Sequence, residues 1–152
     1  MIRRELYDAI IAQDPKRLRA AIDAGDDVNG QDFGYPLPLS AAAGRWGCVD
    51  TVKVLLDAGA DVNGLGNPEF QESIPWERSA LVSAATYGHM DTFQLLLRVG
   101  ADPLIVIGGG KTLLDWLIYS KYHGHREMAE MIRIERPEAF LDFWTAIGRR
   151  GF

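Results

Sequence analysis

The octapeptide DAGDDVNG, Asp23 to Gly30, returns almost unchanged as DAGADVNG, Asp57 to Gly64. Gly25 and Gly59 are therefore 34 residues apart, and a degraded third copy, RVGADPL, places Gly100 another 41 residues along. A recurring period of this length constrains the fold more than any local propensity, because each period must be one structural unit that stacks on its neighbours. The segments between the copies agree as well. LPLSAAAGRWGCVDTVKVLLDAGADVN (Leu37 to Asn63) aligns with SALVSAATYGHMDTFQLLLRVGADP (Ser79 to Pro103). A shorter copy, ELYDAIIAQDPKRLRAAIDAGDDVN, precedes them and KTLLDWLIYSKYHGHREMAEMI follows. One apolar position recurs as Leu6, Leu39, Leu81 and Leu114, in steps of 33, 42 and 33.

Within each unit the apolar residues keep a helical rhythm. Val49, Val52, Val54, Leu55 and Leu56 form one such set, and Met90, Phe93, Leu95, Leu96 and Leu97 another. The run Ala41–Ala42–Ala43 lets a first, inner helix pack closely on its neighbour. Gly59 and Gly100 follow the second helices, where a left-handed residue ends a helix at low cost, and Asn29 and Asn63 suit the turns that lead onward.

These residues give the chain its resemblance to ankyrin-repeat proteins, whose unit runs G-x-T-P-L-H-x-A-A, then G-H, then V-x-x-L-L-x-x-G-A-D-V-N over about 33 residues. The match is strongest from Leu37 to Asn63 and from Ser79 to Asp102. The resemblance implies an all-α solenoid of about four helix-turn-helix repeats in a single domain, 1–152. The expected repeats are approximately 1–30, 31–64, 65–104 and 105–136, with one long finger insertion and a C-terminal capping helix in 137–152. In that cap, Phe140, Leu141, Phe143, Trp144 and Ile147 are expected to share one face and cover the last repeat.

Composition narrows the function classes. Apolar residues make up 47% and charged residues 24%, which is enough to bury a core, and the formal charge of −5 argues against a nucleic-acid partner. No window reaches the roughly 18 consecutive apolar residues of a membrane span. The N-terminal stretch MIRRELYDAI lacks the apolar core of a signal peptide, and the single cysteine, Cys48, suits a reducing compartment, so a cytoplasmic protein is expected.

One motif points elsewhere. In LIVIGGGKTLLDWLIY, Leu104 to Tyr119, strand-forming residues enter a glycine loop with Gly-Lys-Thr, as in a nucleotide-binding enzyme that uses Gly108–Thr112. A phosphate loop with Gly110, Lys111 and Thr112 fixed requires glycine at position 105, which is Ile105. The repeat register accounts for the same letters: Gly110 is a turn glycine, Thr112 starts an inner helix and Leu114 is the core leucine. His123 and His125 have no nearby cysteine or clear carboxylate to complete a metal site, and the G-H pairs at Gly88–His89 and Gly124–His125 fit structural positions between helices. Asp57, Asp61 and Asp91 recur with the repeat as turn and helix-end residues. No catalytic residue, metal site or cofactor is expected.

The functional expectation is a non-catalytic protein-interaction module, monomeric on its own, acting as an adaptor or as an inhibitor of the immunity-protein type. The resemblance implies a binding surface made of turn fingers and inner helices. The insertion LGNPEFQESIPWERS (Leu65 to Ser79) enlarges one finger and carries Phe70 and Trp76 among Glu69, Glu72 and Glu77. These rings either meet a partner with a basic patch or fold down to stabilise the loop. On the inner helices, Arg45, Trp46 and Tyr87 fall at positions that face outward in the family, with Tyr119 and Tyr122 in the same zone; ordinary packing between helices is the alternative. Phe33 and Tyr35, flanking Gly34, are expected to point from the second finger and extend an aromatic rim.

Overall fold

The computed structural model describes residues 4–32, 34–46, 48–67 and 79–150. Helices come in short antiparallel pairs: α1 (Arg4–Ile11) with α2 (Pro15–Asp23), α3 (Pro38–Ala41) with α4 (Val49–Asp57), α5 (Ala80–Tyr87) with α6 (Met90–Arg98), and α7 (Leu113–Tyr119) with α8 (His123–Glu135). A last helix, α9 (Pro137–Arg150), packs on α8. Most of these helices have nine residues or fewer, too short to persist alone in water. Stacking supplies what length does not: α2 packs on α4, α4 on α6 and α6 on α8, while α1 packs on α3 and α3 on α5 along the inner row.

The recurring leucines form the spine of the core. Leu6, Leu39, Leu81 and Leu114 are all buried, as are Ala41, Ala42 and Ala43. Helix α5 is buried along six successive residues, Ala80 to Ala85, as expected of an inner helix with neighbours on most sides.

Local sequence sets each boundary. Asp14 caps α2 by accepting from the backbone N–H groups of Lys16 and Arg17, both at 3.0 Å, with Pro15 in the first turn. Ser79 caps α5 through Val82 N–H. The first three outer helices end in the same way. Gly59 has φ +89°, its N–H donates to Leu56 O (3.0 Å), and the next N–H, of Ala60, donates to Leu55 O (2.9 Å). Gly25 and Gly100 repeat that paired closure at their own helices.

The turns are then laced to one another. Asn29 Oδ1 accepts from Asp61 N–H (2.8 Å) while its Nδ2 donates to Gly59 O (3.1 Å). Asn63 does the same one repeat later, with Asp102 N–H (2.8 Å) and Gly100 O (3.2 Å). Leu104 stands at the third equivalent position and has no amide to offer. There the junction is fastened differently: Arg136 Nη1 donates to Ala101 O (2.9 Å), and Glu135 accepts from Arg98 and Gln94, both at 2.9 Å.

Two departures from the expected plan have clear causes. The second inner helix does not end at Ala41 but continues as a π-helical turn, Ala42–Trp46. From its core leucine to the following Gly47 this repeat has one residue more than the stretch from Leu81 to Gly88, and a π turn absorbs one residue without breaking the helix. In α9, the five apolar residues do not share one face. Phe143 is buried and Phe140 and Ile147 pack against the core, but Leu141 and Trp144 are 67% and 47% exposed. At about 100° per residue, positions 140, 143 and 147 cluster, whereas 141 is turned well away from them.

Candidate functional site

The inner helices do not approach each other evenly. Between α3 and α5 they nearly touch, because Gly44 faces Ser83: a β-carbon built on Gly44 would lie 2.8 Å from Ser83 Cβ and 3.3 Å from the Tyr87 ring. The same two register positions at the next junction, five residues after one core leucine and two after the following one, hold Thr86 and Trp116. An indole cannot nest where a serine does, and there α5 and α7 enclose open space. An apolar pocket of about 220 Å³ is lined by Val82, Thr86, Ile107 and Trp116. It shares Thr86 and Trp116 with a larger cleft of about 440 Å³, which Tyr87, Tyr122, His125 and Glu127 also line.

His125 is the post on which this cleft is built. Its Nδ1 lies 2.7 Å from Ser120 Oγ, and its ring also hydrogen-bonds the backbone of Ala85 on the neighbouring α5, so one imidazole ties two repeats together. Trp116 packs on it with ring centres 4.3 Å apart, and Tyr122 meets it edge-on at 5.4 Å. Burial holds the His125 pKa below the ordinary imidazole value, against the opposing pull of the Ala85 hydrogen bond.

The glycine loop serves the scaffold. Strands β1 (Val106–Gly108) and β2 (Lys111–Thr112) form an antiparallel hairpin whose two tip residues, Gly109 and Gly110, have φ +56° and +69°. Two successive positive φ values are what a tight two-residue hairpin turn demands. Thr112 then caps α7: its Oγ1 accepts from Asp115 N–H (3.1 Å) and donates to Asp115 Oδ2 (2.9 Å), while Thr112 N–H donates to the same carboxylate (2.7 Å).

The sequence of residues 39–139 matches the family pattern for ankyrin repeats in three copies. The chain belongs to the ankyrin-repeat family. Such repeats act as protein-interaction modules. The chain is 35% identical over 142 residues to the E3 ubiquitin-protein ligase hecd-1 of Caenorhabditis elegans, covering 92% of this chain and 5% of that protein. It is 36% identical over 132 residues to the E3 ubiquitin-protein ligase Ufd4 of Drosophila melanogaster, covering 86% of this chain and 4% of that protein. The ankyrin-repeat chain thus spans about a twentieth of the length of these relatives.

Within this ankyrin solenoid the twelve expected contact residues fare differently. Tyr87 (40% exposed) and Tyr122 (74%) come together at one cleft. Tyr119, at the end of α7, is 71% exposed but outside its lining. Tyr35 stays half-exposed, yet its ring packs on Tyr7 at 4.6 Å rather than standing clear of the finger. The buried Tyr7 hydroxyl donates to Pro36 O. Arg45 and Trp46 fall on the π-helical turn. Phe33, Glu69, Phe70, Glu72, Trp76 and Glu77 lie outside the described residues. Sequence reasoning missed Trp116 and His125 as cleft residues. The signal was present: Trp116 follows its core leucine by two, where Ala41 and Ser83 are small.

No helix among the described residues is long and apolar enough to cross a membrane.

Proposed function

We propose that this chain is a non-catalytic recognition module, monomeric and cytoplasmic, that grips a basic region of another protein along its inner-helix face. The supporting observation is the cleft lined by the end of α5, Trp116 of α7 and the start of α8, where exposed Tyr87 and Tyr122 and the half-buried Trp116 converge on space that no described residue fills. Leaving rings of this size beside open space is costly in isolation and is repaid when a partner covers them. The net charge of −5 favours a basic partner. The finger residues Phe70 and Trp76, with Glu69, Glu72 and Glu77, are further partner contacts under this proposal. The occurrence of similar repeats as a small fraction of E3 ubiquitin-protein ligases favours an adaptor, which holds a protein for other machinery, over an inhibitor or immunity-type protein.

The test is capture of host proteins by the tagged chain beside a Thr86→Arg variant, which places a bulky cation in the cleft from an exposed position. A saturable partner bound by the parent and lost by the variant, with circular dichroism unchanged, is the expected result. Equal capture by both would place the contact elsewhere. A partner enzyme silenced on binding would make the chain an inhibitor instead of an adaptor.

A further inference from the structure

We infer that the cleft lined by the end of α5, Trp116 of α7 and the start of α8 is a receptor for a weakly hydrated organic cation, the guanidinium of an arginine or a methylated ammonium, carried by the bound protein. This rests on the reading of the inner-helix face as the binding surface and assigns its chemistry.

Three aromatic residues of two repeats, Tyr87, Trp116 and Tyr122, line one space of about 440 Å³. Aromatic faces carry negative electrostatic potential and attract cations, tryptophan most strongly. Among the described residues the cleft lining contains one carboxylate, Glu127, and no lysine or arginine. Its imidazole, His125, is held toward the neutral form by burial. An anion would therefore meet repulsion from Glu127, and an aliphatic group would strip water from that carboxylate without replacing its partner. A cation satisfies both the rings and the acid. At present Glu127 pairs with His123 Nδ1 at 3.0 Å, but the His123 side chain is 88% exposed, so this surface contact is weak and exchangeable.

The choice among cations follows from hydration. A primary ammonium keeps its water tightly, whereas guanidinium and methylated ammonium groups give it up more readily to an aromatic surface. The rings are also pre-set, since Trp116 and Tyr122 both rest on His125, which is itself fixed by Ser120 and Ala85. Little ordering remains to be paid for when a ligand arrives.

The experiment titrates the whole chain with Nα-acetyl-arginine amide, tetramethylammonium, Nα-acetyl-lysine amide and the neutral Nα-acetyl-citrulline amide, following the Trp116 indole N–H by NMR. Arginine amide or tetramethylammonium should give a saturable shift, about five-fold or more tighter than lysine or citrulline. Whichever of the two binds more tightly identifies the source as arginine or methylated lysine. Glu127→Gln and Tyr122→Ala, both at exposed positions, should each weaken binding by about five-fold or more while leaving the melting temperature unchanged. An equal response to citrulline, no saturable shift, or indifference to both substitutions overturns the assignment. A protein partner lost in Thr86→Arg but retained by the Glu127→Gln/Tyr122→Ala double variant would also overturn it, while leaving the binding face in place. Failure to capture any partner beside a selective cation titration would instead count against the adaptor reading alone.

Discussion

Gly44 lies against Ser83, close enough that a single added methyl group would sit 2.8 Å from the serine β-carbon. Both residues are buried, so neither can step aside into solvent. Gly44→Ala is therefore expected to cost about 1–3 kcal/mol of unfolding free energy, the usual range for overpacking. Urea denaturation followed by circular dichroism measures it. In a double variant with Ser83→Gly the losses should fall short of additive, because the second change removes part of the clash. Full additivity would place the strain elsewhere.

The lacing amides make a second expectation. Asn29→Ala and Asn63→Ala each remove both hydrogen bonds to the turn of the following repeat. Each substitution should lower stability by about 1–2 kcal/mol. Asn63→Asp should do no better than alanine, since it keeps the acceptor for Asp102 N–H but turns a carboxylate oxygen toward the Gly100 carbonyl. Melting curves of the three variants are the check.

His125 sets a pH dependence. Its folded pKa lies below the ordinary value of 6.5, so the unfolded chain takes up the proton more readily than the folded one. The contribution of this residue is intact above that pH and is lost as the pH falls through the folded pKa. A melting temperature that declines from about pH 6.5 downward is expected, and His125→Gln should flatten that part of the profile while lowering the plateau. Below the ordinary carboxylate value of 4.5 a separate loss sets in, because Arg98 holds Glu135, and Arg133 holds Glu130, below it.

At the hairpin, Lys111→Ala should leave the melting temperature unaltered, and millimolar ATP or GTP should shift neither the parent nor the variant. Gly110→Ala should be destabilising by about 1 kcal/mol, since alanine is strained at φ +69°. A nucleotide-induced rise abolished by Lys111→Ala would restore the phosphate-loop reading.

Much of the scaffold was legible because periodicity reports burial directly. The four leucines, the alanine run and the helix-ending glycines were all located by register, and each does in the fold what its position implied. The cleft was harder to read. An aromatic residue in an apolar stripe looks like core, and only comparison with the small residues at the same register in other repeats reveals that Trp116 keeps two helices apart. The lacing role of Asn29 and Asn63 was likewise hidden. Turn propensity explains why asparagine suits the site, but the bond partners lie 30 residues or more away. In α9 the sequence pattern was read too broadly, since five apolar residues in eight exceed the width of one helical face.

The change of fastening after the third repeat has a consequence for how the molecule yields. Neutral amides stitch the first three turns together, and dissolved ions scarcely affect such bonds. The last seam relies on guanidinium groups, Arg136 on Ala101 O and Arg98 on Glu135, whose attraction mobile counterions can screen. A rise in ionic strength should therefore loosen the solenoid from one end, the end whose inner helix forms a wall of the cleft.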